Sequence, residues 1–486
     1  MTLSESTHPR THQFPERVLQ FGTGVLLRGL CDFVIDKANK NGFFRGSIVV
    51  VKSMGTNIDA FVNQDHLYTC CVRGIEKAEV VHKNVVVSAI SRVLTAENQW
   101  EEILKTAENE NIDLVISNTT EVGLEYETES FEDGSSPKTY PGKLVAWLKR
   151  RFDAGKPGVI VVPTELLVDN GQILKSVVMK HIKEHKMDEA FTAWVKDENK
   201  FCSSLVDRIV PGKPKDDELK ELYHELGYED GLLIKAEAYK LWAIEGDDEI
   251  EERLSFADGD PGVIIQKKIT QYRELKLRML NAPHIMMSGI CYLSGFETVK
   301  DAMADPMMDK YITILMLTEM APSVDPKIHS KVVQRYGRDI IDRFRNPYLD
   351  HKWLSITFQY TAKIKMRAIP LLMSYYDIFE SVPHYFARGM AAYIFFMKAT
   401  KEQDGKYYGE NEGTAYLIND DQAAWFYEVW QSNDVKEIVH RTLSNEEFWE
   451  IDLTHLTGFE EAVATHLGNM MLIGVREVVS TLNVYA

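Results

Sequence analysis

Lys276, Asn281 and His284 stand in the segment YRELKLRMLNAPH at residues 272–284, with the spacing K-x4-N-x2-H. On an ideal α-helix, at ~100° per residue, they fall near ~0°, ~140° and ~80°, on one side of the cylinder. A lysine so placed can exchange a proton with a hydroxyl or carbonyl oxygen. An asparagine amide can stabilise developing oxyanion charge, and a histidine can orient the substrate or the lysine. Pro283 argues against one continuous helix, and Asn281 would then cap a second helix with His284 in its first turn. The spacing alone equally describes an amphipathic helix with its cations outward and a histidine buried in hydrogen bonds.

A second constellation is QFGTGVLLRG at residues 20–29, where Phe21, Gly22, Thr23, Gly24 and Arg28 are candidate cofactor residues. Closely spaced glycines let the backbone approach a pyrophosphate, and the following helix points its free N–H groups and positive dipole end at the phosphates. Leu27 stands where the usual fingerprint has its third glycine. The alternative is a tight strand-to-helix turn that holds nothing. A NAD site usually has Asp or Glu at the end of its second strand for the ribose hydroxyls. Here that place is Lys52-Ser53 (VVVKSMGTNID). Lys52 can meet a 2′-phosphate, or Asn57 or Asp59 can take the ribose, so NADP stays open beside NAD.

Other candidates carry less chemistry. His181 and His185 have the i, i+4 spacing of half a zinc site. With no third ligand nearby and charged neighbours (KHIKEHK), a solvated helix face is the expectation. No HExxH or carboxylate cluster points to a metal, and no GxSxG points to a nucleophilic hydrolase. Met286-Met287 and Met307-Met308 read as adaptable core packing.

These residues need elements to hold them. Residues 17–21 (RVLQF), 47–51 (SIVVV), 113–117 (DLVIS) and 159–162 (VIVV) read as strands, with amphipathic segments at 99–107 and 143–152. Strands alternating with helices argue for a parallel sheet covered on both faces. Residues 261–265 (PGVII) are the last convincing strand. Beyond about residue 270 the spacing turns helical, at 311–320, 329–344, 351–376 and 459–482. The boundary is placed there: an α/β domain over residues 1–270, a mostly helical domain over 271–486, and the active site between them. The acidic stretch at 245–253 reads as a loop or helix face.

The 486 residues include 55 Lys+Arg against 73 Asp+Glu, a formal net charge of −18. Such a surface repels phosphate backbones, so broad nucleic-acid binding is excluded and an anionic substrate needs its own basic pocket. No apolar run is long enough to span a bilayer, and the first fifteen residues lack the apolar core of a signal peptide. Five cysteines with no CxxC fit reduced thiols in a cytoplasm.

The chain resembles the polyol-specific long-chain dehydrogenase/reductase family, the relatives of mannitol dehydrogenase. The resemblance spans nearly its whole length: QFGTGVLLRG, QDHLYT at 64–69, ISNTTEVG at 116–123, YPGKLVAWLKRRF at 140–152, VDNG at 168–171, FCSSLVDRIVPG at 201–212, KLRMLNAPH, and RFRNPYLDH from Arg343. It implies an N-terminal Rossmann-type domain, a mostly α-helical C-terminal domain and an NAD cofactor. It implies Lys276 as proton donor in ketone reduction and base in alcohol oxidation, with Asn281 and His284 polarising the reacting oxygen. Gly22, Gly24 and Arg28 match the cofactor loop, and Asn118, Thr119 and Glu121 the stretch beside the nicotinamide ribose. Asp230, seven residues before Glu237, matches a substrate-side pattern, with a turn acid beside Gly231 as the alternative. Two departures stand out. Thr164-Glu165-Leu166 replaces a Cys-Asp-Asn segment whose Asn shares the oxyanion role, and Ala282-Pro283 replaces a Gly-containing segment.

SNTTE and FCSSLVDRI favour the keto-uronate branch, so the substrate is expected to carry a carboxylate. Of Lys352, Lys363, Lys365 and Arg367, most are expected to be surface charge. Lys363 is the first choice as carboxylate anchor and Arg367 the second, since the pair shares a helix face at i, i+4. The expectation is therefore a cytoplasmic NAD(H)-linked oxidoreductase acting on a small sugar acid, without metal, membrane or nucleic acid. A fructuronate (mannonate) reductase, a neutral polyol dehydrogenase and a non-catalytic nucleotide-binding regulator are the alternatives. The oligomeric state stays open, a monomer included.

Overall fold

Val, Ile and Leu fill the strands of the N-terminal half without alternation, as strands buried on both faces require. In a computed structural model, which describes residues 1–131 and 134–480, these strands form one six-stranded parallel sheet. They are β1 (Glu16–Phe21), β2 (Ser47–Lys52), β5 (Ile90–Thr95), β6 (Leu114–Ser117), β7 (Ile160–Pro163) and β8 (Lys200–Phe201), in the order β5-β2-β1-β6-β7-β8. Val18, Ile48, Val50 and Ile116 point into one core, and Leu19, Val49, Val51 and Val115 into the other. The order reverses beside β1, so the C-terminal ends of β1 and β6 flank a topological switch point, where sheets of this kind bind ligands.

The chain divides into two compact units, Met1–Gly74 with Val80–Ile269, and Ile75–Glu79 with the chain from Thr270 onward. In the first, β3 (Tyr68–Glu76) and β4 (Glu79–Val87) form a sheet with β10 (Ile234–Glu237). A second small sheet joins β9 (Ser204–Asp207), β11 (Leu241–Glu245) and β12 (Val263–Gln266) in the order β12-β11-β9. The acidic stretch holds the helix Asp248–Arg253, capped by Asp247, whose side chain accepts from Ile250 N. Cys31, Cys70, Cys71, Cys202 and Cys291 are all unpaired and buried, and burial pushes every one of these thiols up.

The second unit is mostly helical, with three corrections. Strands continue past residue 265: β13 (Lys401–Gln403), β14 (Lys406–Asn411) and β15 (Thr414–Leu417) form an antiparallel sheet. Its strands are mainly exposed and polar, so they carry no apolar run to betray them. Residues 351–376 hold three helices rather than one, broken where Gln359 turns left-handed at φ 52° and before Pro370. The last helix is interrupted at Gly474 (φ 91°), and residues 481 and 482 of the expected range lie outside the described residues.

His181 is a further correction. It faces inward from the helix Asn170–Glu184, fully buried, with Tyr126 and Phe131 against its ring and Glu129 at 3.8 Å. The covering segment carries no helical periodicity that would announce it. Among the described residues no group of three or more His, Cys, Asp or Glu is placed to hold a metal, and no helix is long and apolar enough to cross a membrane.

Candidate active site

In the first unit the glycine loop and the loop after β6 meet at the switch point. Gly22 N donates to Val51 O at 2.9 Å, and Asn118 N donates to Phe21 O at 3.2 Å. Gly22 sits at φ 125°, and a Cβ on it would lie 2.8 Å from Leu27 Cδ1 and 3.1 Å from Asn118 O. Leu27, the residue at the third-glycine position, is therefore what fills the space over the first glycine. Gly24 differs. It precedes the first helical residue, and a Cβ on it would meet nothing within 4 Å. Its outer side is open ground beside the free N–H groups of the helix that begins at Val25. Thr23 is half-buried beside it, and Phe21 contributes backbone only, its ring being buried against Tyr140.

Glu165 organises the β6 loop. Its buried carboxylate accepts from Thr119 N at 2.9 Å, Thr119 Oγ1 at 3.2 Å and Ser117 Oγ at 3.3 Å, and burial pushes it up. Asn118 is turned the same way, donating from Nδ2 to Thr164 O at 3.0 Å. Leu166, where the family's second amide would stand, is 62% exposed. Glu121 opens a 3-10 turn, and its side chain lies outside the described residues. Asn57 accepts from Asp59 N in a local turn, and Lys52 closes β2 half-buried.

Two expected site residues are placed in the interior. Arg28 is 9% exposed, donates from Nη1 to Leu232 O at 2.6 Å, and lies over the Tyr68 ring at 5.4 Å. Asp230 is fully buried and accepts from Gln64 Nε2, Thr69 N and Leu232 N at 2.7, 2.6 and 2.8 Å. That is the turn-acid alternative: the carboxylate ties strand β3 to its neighbour loop and turns no face outward. Beside Arg28, Asp32 has both carboxylate oxygens buried without a hydrogen-bond partner among the described residues. Burial pushes it up to about 7, against the pull of Arg28.

In the second unit the chain stays helical from Thr270 to Leu293, with a π-turn at Lys276–Asn281. Asn281 is inside that helix at φ −77°, ψ −37° and makes no side-chain cap, so the capped second helix expected from Pro283 is not formed. Pro283 has no N–H for the carbonyl four residues back and crowds it, which a widened turn relieves. Because a π-turn closes i to i+5, it brings Asn281 toward the face that carries Lys276. Arg278, within the turn, donates from Nε to Glu274 at 2.7 Å and from Nη1 to Met366 O and Arg367 O at 2.8 Å each. It thereby fastens the Lys276 turn to the end of the helix Tyr360–Arg367.

His284 is packed against Phe344 and His351, with ring centroids at 4.3 and 5.1 Å. Its Nε2 is buried with no partner among the described residues. Burial, then His351, Arg343 and Arg367, holds the ring well below its ordinary value, so it is a neutral imidazole. Lys363 Nζ donates to Ile356 O at 2.8 Å, and burial followed by Arg367 pushes its ammonium down. Arg367, half-buried, is lowered by burial alone. Lys352 and Lys365 are spent on Glu297 and Glu450 at 2.6 and 2.9 Å. The sequence shows Glu165, Arg278, Arg343 and His351 only as members of motifs; their contacts with the Thr119 loop, the Met366–Arg367 carbonyls and His284 are to partners distant along the chain.

Residues 16–257 match the family model of the mannitol dehydrogenase Rossmann domain, and residues 268–471 that of the mannitol dehydrogenase C-terminal domain. Altronate oxidoreductase of Bacillus subtilis (strain 168) is 33% identical over 98% of this chain and 96% of its own. That of Halalkalibacterium halodurans is 34% identical over 97% and 94%. Substrate-free D-sorbitol dehydrogenase shares the fold at a TM-score of 0.74 and 21% identity, covering 99% of this chain and 100% of that one. So does Pseudomonas fluorescens mannitol 2-dehydrogenase, in ternary complex with NAD and D-mannitol, at a TM-score of 0.61 and 22% identity, covering 100% of both.

Proposed function

The chain belongs to the mannitol dehydrogenase family of oxidoreductases, and we propose that it is a cytoplasmic NAD(H)-linked enzyme that reversibly reduces tagaturonate to altronate in hexuronate breakdown. One observation supports the choice of a sugar acid: the charges of Arg343 and Arg367 reach the neutral His284 ring, and that of Arg367 also reaches Lys363. Such a group suits a carboxylate-bearing substrate better than a neutral polyol.

The open side of Gly24, the left-handed Gly22 and the free helix N–H groups beside them fit a dinucleotide pyrophosphate. When bound there, a nicotinamide dinucleotide supplies hydride exchange with the ketone carbon. Gly22, Thr23 and Gly24 would hold its phosphates, and Asn118 and Thr119, set by Glu165, its ribose side. Lys276 gives a proton to the ketone oxygen in reduction and removes it in oxidation. Asn281, one π-turn on from Lys276, donates its amide to the same oxygen as charge develops. His284 stays neutral and, packed on Phe344 and His351, orients the turn that carries Lys276. Lys363 or Arg367 holds the carboxylate.

The test is a panel of tagaturonate, fructuronate, fructose and mannitol with NADH, NADPH and their oxidised forms. Tagaturonate with NADH should give the highest kcat/KM. A higher kcat/KM for a neutral sugar, or a tenfold preference for NADPH, refutes the corresponding part of the reading.

A further inference from the structure

The helix Ser330–Phe344 has two faces of different kind. On one, Gly337 lies so close to the Lys276 turn that a Cβ would meet Met279 Cε and Leu317 Cδ2 at 2.9 Å each. Phe344, on the last turn, packs on His284. On the other face, Arg335, Arg338, Asp339 and Asp342 line a cavity of about 580 Å³. Small-molecule sites commonly measure ~300–1,000 Å³. Part of its wall is the tip of the β3–β4 hairpin, Lys77 and Ala78, which belongs to this same unit.

The lining is unusual for so acidic a chain. Lys77, Arg335, Arg338 and Arg345 face two acids, Asp339 and Asp342. Arg345 is taken by Asp309, with Nε and Nη2 at 2.8 and 2.9 Å from its oxygens. Asp342 accepts from Ala78 N at 2.9 Å. Lys77 and Ala78, the two-residue hairpin loop, are left-handed at φ 54° and 63° without a glycine. Burial pushes the Asp339 carboxyl up, with Arg335 opposing. Leu317 and Ile341 add apolar wall, and the Thr313 hydroxyl at the cavity is buried with no hydrogen-bond partner among the described residues.

We propose that this cavity is an effector site for a small organic carboxylate with an apolar body, whose binding shifts the Lys276 turn through the Gly337 contact. The carboxylate pairs with Arg335 and Arg338, and the apolar body covers Leu317 and Ile341. A sugar acid does not suit it, because its hydroxyls would lose water against those two side chains.

The test is calorimetric titration of the full chain with benzoate, with benzylamine and benzyl alcohol as the cationic and neutral counterparts. Benzoate should bind saturably, and at least tenfold more weakly in the Arg335→Gln/Arg338→Gln variant, whose substitutions are at exposed positions. Absent benzoate binding, equal binding in the variant, or binding of either counterpart as tight as benzoate overturns the assignment. Amide hydrogen exchange over residues 276–281 should change on benzoate addition in the parent only. Unchanged exchange overturns the coupling. Neither readout uses turnover, so neither depends on the assigned substrate.

Discussion

Alanine at Gly22 and at Gly24 separates two properties of the loop after β1. Gly24 lies at φ −60°, ψ 155°, which alanine adopts freely, and its Cβ would enter empty space. Gly24→Ala should therefore leave the fold intact or stabilise it by ~0.4–1 kcal/mol, through a less flexible unfolded chain. A pyrophosphate seated on the open side meets that methyl group. Losing one charge-assisted hydrogen bond costs ~1.5–3 kcal/mol, which is roughly 10- to 100-fold in Kd. Gly22→Ala differs in kind. Its φ of 125° costs an L residue ~1–3 kcal/mol. The added Cβ also lies 2.8 Å from Leu27 Cδ1. It should lower stability and NADH affinity together. Thermal unfolding and NADH fluorescence titration on the two variants make the comparison. Parent-like NADH affinity in Gly24→Ala refutes a cofactor on this loop, and a stability loss there matching Gly22→Ala refutes the open space.

Lys276→Ala should slow turnover by ~10²–10⁴-fold while the NADH Kd stays within about twofold, since the lysine is not on the glycine loop. Near-parent turnover would remove Lys276 from the mechanism. Lys363→Ala and Arg367→Ala should each raise KM for the keto-uronate, one of them by ~10-fold or more. An unchanged KM in both means the carboxylate is held elsewhere. Asp32 rises from its ordinary 3.8 to about 7 on folding, so its contribution is full at low pH and is lost as pH rises through about 7. Asp32→Asn, with no proton to lose, should gain on the parent by ~1 kcal/mol or more in urea unfolding between pH 5 and pH 8. A difference that does not change with pH shows that Asp32 is already ionised in the fold.

The parallel strands were legible because burial on both faces demands β-branched runs: 47–51 was expected and β2 covers Ser47–Lys52. The helix carrying Lys276 was legible as a helix, but its π-turn was not. Pro283 signals a disturbance, and only the packed structure decides whether the helix breaks or widens. Leu27 reads in the sequence as a missing glycine, although in space it occupies the volume above Gly22. The anchoring roles of Glu165 and Arg278 were not legible, because Glu165 holds backbone and hydroxyl groups of residues 117–119 and Arg278 the carbonyls of residues 366–367, contacts that leave no periodic trace. The exposed strands β13–β15 escaped for the opposite reason, having little to bury.

The five buried thiols give the chain an internal stopwatch. Cys31, Cys70, Cys71 and Cys202 lie in one unit, and Cys291 alone in the other. A thiol-modifying reagent can reach each sulfur only when the surrounding core opens, and burial keeps each in its unreactive protonated form until then. Peptide-resolved labelling in graded denaturant would thus time the opening of the two units separately, in one tube and without an engineered probe. Equal rates at Cys291 and the other four would mark a single cooperative opening, and a split would show which half of the enzyme lets go first.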